Sequence, residues 1–349
     1  MLHSAWINSP RNDLLFILLP SLLAVGLVLL FHAYFPNLEN RFGFWTWLLL
    51  IVFIDVAHVY ATLFKTYFSR TAFAERSRLY MVAPLVAFGL GVVAYSYSSL
   101  CFWSMMAYVA VFHFVRQQYG FMRLYARHEA PDFGRQMIDG LAIYSSTLYP
   151  MLFWVLSYPR RFVWFVEDEF WHFRSEIGLE IAWWVYVGIM LVYILYYFWQ
   201  YIDRRYFNLP KHLWLLGTAL SWYVGIVLYN NDLIFTFLNV VTHGIPYMAL
   251  VYFRTLQQPA TDSPRWYHYL GGGSGILLYV AILLAIAFME EWIWEITIWN
   301  DNFSWAVIDT EDIAPYYFLL VPLLSVPQLT HYILDGFIWK RKAVETNVA

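Results

Sequence analysis

The chain has 349 residues, of which 61% are hydrophobic and only 13% are charged, and its formal net charge is −3. A soluble domain carries about 25% charged residues, so this composition excludes a protein whose whole surface faces water and favours an all-α, multi-pass membrane protein. No basic region is present to bind nucleic acid, and Cys101, the single cysteine, excludes an intrachain disulfide and a thiolate metal cluster.

Ten stretches are long and apolar enough to span a bilayer, which takes about 20 mostly apolar residues. In chain order they cover residues 12–35, 44–64, 79–97, 100–120, 137–157, 179–201, 211–229, 232–253, 270–292 and 316–338. The third and fourth follow each other so closely that they predict a helical hairpin. The first is long for a signal-peptide core and no small-residue cleavage motif follows it, so we expect it to be retained. No linker or repeat divides residues 1–349, which predicts a single membrane domain.

The positions of lysine and arginine test this topology, because cytoplasmic loops carry an excess of both. With the amino terminus inside, ten helices place 17 of the 21 Lys and Arg residues on the inner side and 4 on the outer side. Both termini are therefore predicted to be cytoplasmic, in the inner membrane of a bacterium. Acidic residues gather on the outer side, and we expect them to be solvated loop charges: Glu167, Asp168, Glu169, Glu290, Glu291, Glu295, Asp301, Asp309, Glu311 and Asp312.

Four histidines fall inside predicted helices, on the second, fourth, eighth and tenth: His58, His113, His243 and His331. All four helices run from outside to inside, and each histidine lies in the inner half of its helix. At a rise of 1.5 Å per residue, the imidazoles are predicted to lie within about two turns of one depth. One such histidine is typical of a hydrogen-bonded structural residue. Four at one depth favour a shared metal site, because ionisable residues in membranes usually face the bundle interior.

Each of these histidines has polar residues three or four positions away on its own helix. They are Asp55 and Thr62 around His58, Gln117 after His113, Asn239 before His243, and Gln328 and Asp335 around His331. Residues at these spacings share a helix face, so we expect them to orient the imidazoles of a metal site. Asp55 and Asp335 are also candidate catalytic carboxylates or additional ligands.

Arg116 is a further candidate for the site, because it lies three residues after His113. An arginine there can bind the phosphate or carboxylate head of a substrate. The alternative is an interfacial arginine whose guanidinium reaches the membrane surface. The sequence leaves both interpretations open.

Four short segments of the chain share features with one known family. Residues 326–338 read VPQLTHYILDGFI and residues 111–114 read VFHF, while Leu238–His243 precedes aromatic residues and Asp55 stands close to His58. These segments resemble the helices with histidine ligands in the Brp/Blh-type β-carotene dioxygenases. The resemblance implies a polytopic protein whose histidines hold iron, and a reaction that cleaves carotene to retinal.

We therefore predict a membrane metalloenzyme in which His58, His113, His243 and His331 bind Fe(II), and which oxidises or cleaves a lipid-soluble substrate such as a carotenoid or lipid entering from the bilayer. Imidazole suits iron, zinc, copper and nickel alike, so ligand type does not choose the metal. One alternative is a zinc-dependent lipid hydrolase with Asp55 or Asp335 as general base. Others are a haem- or quinone-linked redox subunit and a non-catalytic subunit, transporter or channel.

Overall fold

The computed structural model describes residues 5–41, 43–257, 264–299 and 313–339, and every regular element in these ranges is helical. Ten long helices coincide with the ten predicted stretches. They are α1 (Pro10–Leu38), α2 (Gly43–Lys65), α3 (Arg70–Tyr97), α4 (Ser99–Tyr125), α5 (Phe133–Leu156), α6 (Glu176–Asp203), α7 (Leu209–Trp222, continued by Tyr223–Leu228), α8 (Asp232–Leu256), α9 (Gly275–Trp299) and α10 (Ala314–Ile338). A short helix, Arg265–Gly271, precedes α9.

Within the described ranges, eight of these helices are long and apolar enough to cross a membrane, and α5 and α7 are the two that do not meet this test. The protein is therefore a multi-pass, all-α membrane bundle. The α8 helix lies at the centre of the bundle, because 78% of the residues in its most apolar 18-residue stretch are buried. The corresponding fraction for α6 is 11%. The α6 helix packs along α5 at the edge of the bundle.

Polar side chains mark where most of the helices begin. Ser, Asp or Asn precedes the first residue and accepts a hydrogen bond from a backbone N–H of the first turn at seven helices: Ser9, Ser69, Ser98, Asp132, Ser175, Asn208 and Asn231. Such caps satisfy N–H groups that have no partner inside the helix. Ser98 alone separates α3 from α4, which confirms the predicted hairpin.

The helices α2 and α8 approach each other very closely at Gly244. A Cβ atom built on Gly244 would lie 2.8 Å from Cγ2 of Ile54 and 2.9 Å from the Ile54 carbonyl oxygen. Only glycine fits here, because the second contact is with backbone that has no rotamer to change. Asp55 and His243 adjoin the two contacting residues, so this contact fixes the spacing of the helices that present His58 and His243.

We expect Gly244→Ala to destabilise the protein by about 1–3 kcal/mol, the usual cost of overpacking a core, and to reduce its metal content. Thermal unfolding in detergent and metal analysis measure the two effects. The control is Gly89→Ala on α3, because no heavy atom outside its own helix backbone lies within 4 Å of the added Cβ. The interpretation fails if both variants retain the stability and the metal content of the wild type.

A buried ionic cluster joins α5, α6 and α7 to the segment after α4. The ammonium group of Lys211 is fully buried and lies 2.9 Å from Glu129, 3.1 Å from Asp139 and 2.7 Å from the hydroxyl of Tyr197. The guanidinium of Arg135 lies 3.3 Å from Glu129. Two cations thus face two carboxylates, which is the balance that buried charges require.

Three of the acidic residues expected to be solvated loop charges are buried, so that prediction is wrong for them. Glu291 and Glu295 are 9% and 2% exposed, because both belong to α9 and pack inside the bundle; Glu291 lies within the predicted stretch, and Glu295 lies beyond its predicted end. Glu169 is 3% exposed, and its carboxylate accepts backbone N–H groups of Phe165 and Val166 at 2.7 and 3.0 Å. Asp301, Asp309, Glu311 and Asp312 lie outside the described residues.

Candidate metal centre

The four helix histidines meet at one point inside the bundle. The Nε2 atom of His243 lies 3.1 Å from that of His58 and 3.2 Å from that of His113, and the Nε2 atoms of His331 and His113 are 3.1 Å apart. One ligand atom from each histidine lies within 4.8 Å of the other three. No ring is more than 3% exposed. The predicted convergence of the four histidines is confirmed.

The four rings are arranged as a cycle around this point. Neighbouring ring centroids in the order His58, His243, His113, His331 and back to His58 are 4.6, 4.9, 4.6 and 5.0 Å apart. The opposite pair, His58 and His113, is 6.4 Å apart and its rings are nearly parallel, at 19°. Neighbouring rings are steeply inclined, so the imidazoles present their nitrogen edges to the centre.

Hydrogen bonds between the histidines cannot account for this arrangement. A neutral imidazole nitrogen has either a hydrogen or a lone pair, so each Nε2 makes one good hydrogen bond and at most two of the three short contacts can be hydrogen bonds. A metal ion accepts all four lone pairs at once. Two nitrogens about 2.1 Å from one ion, at angles of about 90–110°, are roughly 3.0–3.4 Å apart, which matches the observed spacing. The four histidines therefore fit a single metal ion.

Carboxylates lie beside two of the rings, on the side away from the metal point. Asp55 Oδ1 is 3.7 Å from Nδ1 of His58, and Asp335 Oδ2 is 3.7 Å from Nδ1 of His113. A metal-bound histidine usually gives its other N–H to such a group, and both carboxylates are close enough to orient their rings electrostatically. Asp55 belongs to the π-helical part of α2, Trp47–Val56, and π-helical turns are frequent at functional sites.

Two polar residues that the sequence analysis paired with a histidine of their own helix contact a histidine of another helix in the structure. Thr62 lies four residues after His58, but its hydroxyl is 2.6 Å from Nδ1 of His331 and 2.9 Å from the hydroxyl of Tyr247. Asp335 lies four residues after His331 but faces His113. The reason is geometric: a ring that points to the bundle axis turns its outer nitrogen toward a neighbouring helix.

His243 is held differently from the other three. The ring of Phe114 stacks on it at 3.6 Å with an angle of 5° between the planes, and Gln117 Nε2 donates to its carbonyl oxygen at 2.9 Å. Its Nδ1 atom, like that of His58, is buried without a hydrogen-bond partner, but no carboxylate is paired with it as Asp55 is with His58. Packing and the backbone therefore fix this ring, and Gln117, expected beside His113, supports His243.

Aromatic side chains complete the surroundings of the metal point. Tyr332 stacks on His113 at 4.6 Å, and the Tyr247 ring lies 5.1 Å from that of His331. The sequence analysis missed Tyr247, Tyr332 and Phe114 as parts of the site. Their positions in the sequence are the one indication of this role: Phe114 and Tyr332 each follow a histidine directly, and Tyr247 follows His243 by four residues. Because 21% of the residues in this chain are aromatic, such positions do not distinguish site residues from other aromatic residues.

The structure does not bring Arg116 to the histidines. Its side chain is exposed, donates to the hydroxyl of Tyr144, and lies with its guanidinium 5.1 Å from the ring centre of Tyr119. The residue three positions from a ligand therefore faces away from the metal point.

We expect Thr62→Val to weaken metal binding by about 10–100-fold, as is usual when a group that orients a ligand is lost. Competition with a chelator measures the affinity. Thr147→Val is the matched control, because Thr147 is fully buried and its hydroxyl bonds only carbonyls of its own helix. Equal affinities for the two variants would mean that Thr62 does not act on His331.

A scan against protein-family models and searches of curated proteins and of solved structures found no match to this chain. The function of the site is therefore inferred from its own geometry. Four buried imidazoles surrounded by aromatic rings form a centre that can bind a divalent transition metal and from which water is largely excluded.

Proposed function

We propose that this protein is a membrane metalloenzyme that uses non-haem iron(II), held by His58, His113, His243 and His331, to oxidise or oxidatively cleave a lipid-soluble substrate. The observation that supports the proposal most strongly is the meeting of four buried imidazoles within 4.8 Å at the interior of a multi-pass bundle. Ionisable groups at such a depth are costly and are retained for function.

The number of ligands favours iron over zinc. Catalytic zinc keeps three protein ligands and one open position, and four protein ligands make a closed structural site. Four histidines around an ion that prefers six ligands leave two positions open. Iron(II) held there would supply reaction with dioxygen. A cyclic set with neighbours at 4.6–5.0 Å and an opposite pair at 6.4 Å supports this choice, because a regular tetrahedral set has six equal separations.

The same geometry disfavours haem. Two histidines on opposite sides of a haem need the porphyrin plane between them. Here His58 and His113 are the opposite pair, and His243 and His331 lie at the edges of the space that a porphyrin would take. Three Nε2 contacts of 3.1–3.2 Å leave no gap for a macrocycle.

The surrounding residues would prepare the site for an apolar substrate. Asp55, Asp335 and Thr62 orient three of the rings, so the ligands do not reorganise when the metal binds. Phe114 and Tyr332 cover His243 and His113 and restrict water. The likeness to the Brp/Blh-type dioxygenases supports histidine-ligated iron and, less strongly, a carotenoid substrate. The bacterial inner membrane is a separate part of the same proposal.

Reconstitution of the metal-free protein in detergent tests the reaction class, with β-carotene as the probe substrate. We expect product only with Fe(II) and dioxygen together, and none from His331→Ala under the same conditions. A parallel assay with an ester lipid, phosphatidylcholine, covers the alternative: release of fatty acid without oxygen, restored by Zn(II), would instead establish the lipid hydrolase, with Asp55 or Asp335 as general base.

A further inference from the structure

Two tyrosine rings lie against the four histidines. Tyr247 is fully buried, and its ring centre is 5.1 Å from that of His331 and 5.8 Å from that of His58. The ring of Tyr332 is 4.6 Å from that of His113 and 5.7 Å from that of His331. Phenol rings lose an electron far more readily than aliphatic side chains do. Both tyrosines are therefore close enough to exchange an electron with a metal ion held by the histidines.

The contacts of Tyr247 continue to a second oxidisable ring, whereas those of Tyr332 do not. The centre of the Trp339 indole is 6.2 Å from that of Tyr247, and Trp339 is partly exposed where α10 ends. Among the residues that the structure describes, Tyr332 pairs with histidine rings alone and belongs to a buried apolar cluster. Two steps of 5.1 and 6.2 Å thus connect His331 to the protein surface.

The ring beside His243 does not provide a comparable path. Phe114 stacks on His243 at 3.6 Å, and Trp164 lies 5.1 Å from Phe114 on its other contact. A benzene ring holds its electrons more tightly than a phenol or an indole, so Phe114 interrupts this series of rings.

A carboxylate lies beside both rings of the Tyr247 and Trp339 pair. The Nε1–H of Trp339 donates to Asp335 Oδ1 at 2.7 Å, and the Tyr247 hydroxyl also contacts the Asp335 side chain. An oxidised phenol releases its proton, so its oxidation is easier where an acceptor lies beside the hydroxyl. Tyr247 and Trp339 thus have the neighbour that redox-active rings require.

Positive charge surrounds the exposed end of this pair. The ammonium group of Lys65 lies 5.5 Å from the centre of the Trp339 ring. Arg76 and Arg254 are close enough to Lys65 to act on it electrostatically, as is one acidic residue, Glu75. The positions of lysine and arginine predict that this end of the bundle faces inward. Three cations against one carboxylate attract anions to this surface.

We propose that Tyr247 and Trp339 form a relay that conducts oxidising equivalents from the metal point to an anionic one-electron donor at the inner surface. This proposal rests on the proposed function for the source of the oxidant. Activation of dioxygen with no substrate in place would leave a strong oxidant beside four histidines, and a site of this kind has to exclude such side reactions.

Each transfer along the relay conserves electrons and protons. Tyr247 gives one electron to the oxidised site, and its hydroxyl proton moves to the Asp335 carboxylate. Trp339 then gives one electron to the Tyr247 radical, which takes its proton back. The donor gives one electron to Trp339, so both rings end unchanged, the site is reduced by one electron and the donor is oxidised by one.

Electron paramagnetic resonance of the iron(II)-loaded protein tests the inner step, with hydrogen peroxide as the oxidant and no substrate. We expect an organic radical in the wild type, its loss in Tyr247→Phe and its retention in Tyr332→Phe, with signals compared per bound iron. Tyr332→Phe is the matched control because Tyr332 also lies against two histidines. Mass spectrometry of the same samples should find more oxidised histidine in Tyr247→Phe. An equal radical signal in the wild type and Tyr247→Phe would overturn the relay.

A flash experiment on the metal-free protein tests the outer step independently of any reaction at the metal point. The probe is the carbonate radical anion, which oxidises exposed indoles, and optical absorption follows the indole and phenoxyl radicals. We expect a phase in which an indole radical is replaced by a phenoxyl radical, and we expect Trp339→Phe and Tyr247→Phe each to lose it. The control is Trp171→Phe, because Trp171 is 75% exposed and its ring pairs with that of Phe173. The relay is wrong if Trp339→Phe keeps the whole phase.

Ascorbate, a small anion, tests the surface end of the relay in the iron-loaded protein. It should discharge the radical more slowly in Trp339→Phe than in the wild type. The rate in the wild type should fall as salt is added, because salt screens the attraction between the cations and the donor. Equal rates in the two proteins, or a lipid-soluble quinol that discharges both equally well, would contradict donor entry at Trp339.

The relay and the proposed function fail separately. Phenoxyl formation that depends on Trp339, in a protein that binds no iron, would keep the connection between the rings and refute the metalloenzyme. Oxygen-dependent turnover in a protein without that phase would keep the enzyme and refute the relay.

Discussion

Replacing His243 by alanine should lower the metal affinity by more than about 100-fold, because loss of a ligand costs more than the 10–100-fold expected for loss of a group that orients one. The purified variant should therefore contain less than about a tenth of the wild-type metal. The substitution should have a large effect because the Nε2 atom of His243 lies 3.1 Å from that of His58 and 3.2 Å from that of His113, and because the ring is fully buried. Catalytic turnover should fall with the metal.

The control for this substitution is His212→Ala. His212 also lies on a helix of the bundle, and its Nδ1 atom is 2.7 Å from the Tyr193 hydroxyl, but it is not one of the four histidines whose ligand atoms meet within 4.8 Å. We expect this variant to keep its metal. If the two variants contain equal amounts of metal, the assignment of His243 as a ligand is wrong.

Replacing Lys211 by methionine should destabilise the protein by about 3–5 kcal/mol, the usual cost of removing one partner from a buried ion pair. The substitution leaves Glu129 and Asp139 buried opposite a single cation, Arg135. It also removes a hydrogen bond of 2.7 Å to the Tyr197 hydroxyl. Thermal or denaturant unfolding in detergent measures the loss.

A double variant separates charge from packing. Lys211→Met combined with Asp139→Asn restores equal numbers of positive and negative groups in the cluster, so it should recover part of the stability lost by Lys211→Met alone. Removal of a partner is costly because it leaves a charge uncompensated, and the second substitution removes that charge. If the double variant is less stable than Lys211→Met, charge balance is not what holds this part of the bundle together.

The helix pattern was predictable because the bilayer imposes a length on every spanning segment. Helix ends were less predictable, since α3 begins at Arg70 and α9 reaches Trp299, both beyond the apolar windows. Polar residues that continue a helix, or that are buried by a neighbouring helix as Glu295 is, cannot be separated by hydropathy from polar residues of a loop.

The site was predictable to the level of its four histidines, because their positions along the helices give their depth. The partners of these histidines were not predictable. A spacing of three or four residues shows that two residues share a helix face, but it does not show which neighbouring helix that face contacts. Thr62 therefore appeared to belong to His58, whereas it contacts His331. Lys211 gave no signal at all, because a lysine at the inner end of a helix is typical of a cytoplasmic boundary.

X-ray absorption spectroscopy at the metal edge, on purified protein with its metal content known, tests the central claim most directly. We expect one transition-metal ion per chain, with about four imidazole nitrogens at about 2.0–2.2 Å. A protein without stoichiometric metal, or a spectrum of oxygen or sulfur neighbours without imidazole, would contradict the four-histidine centre.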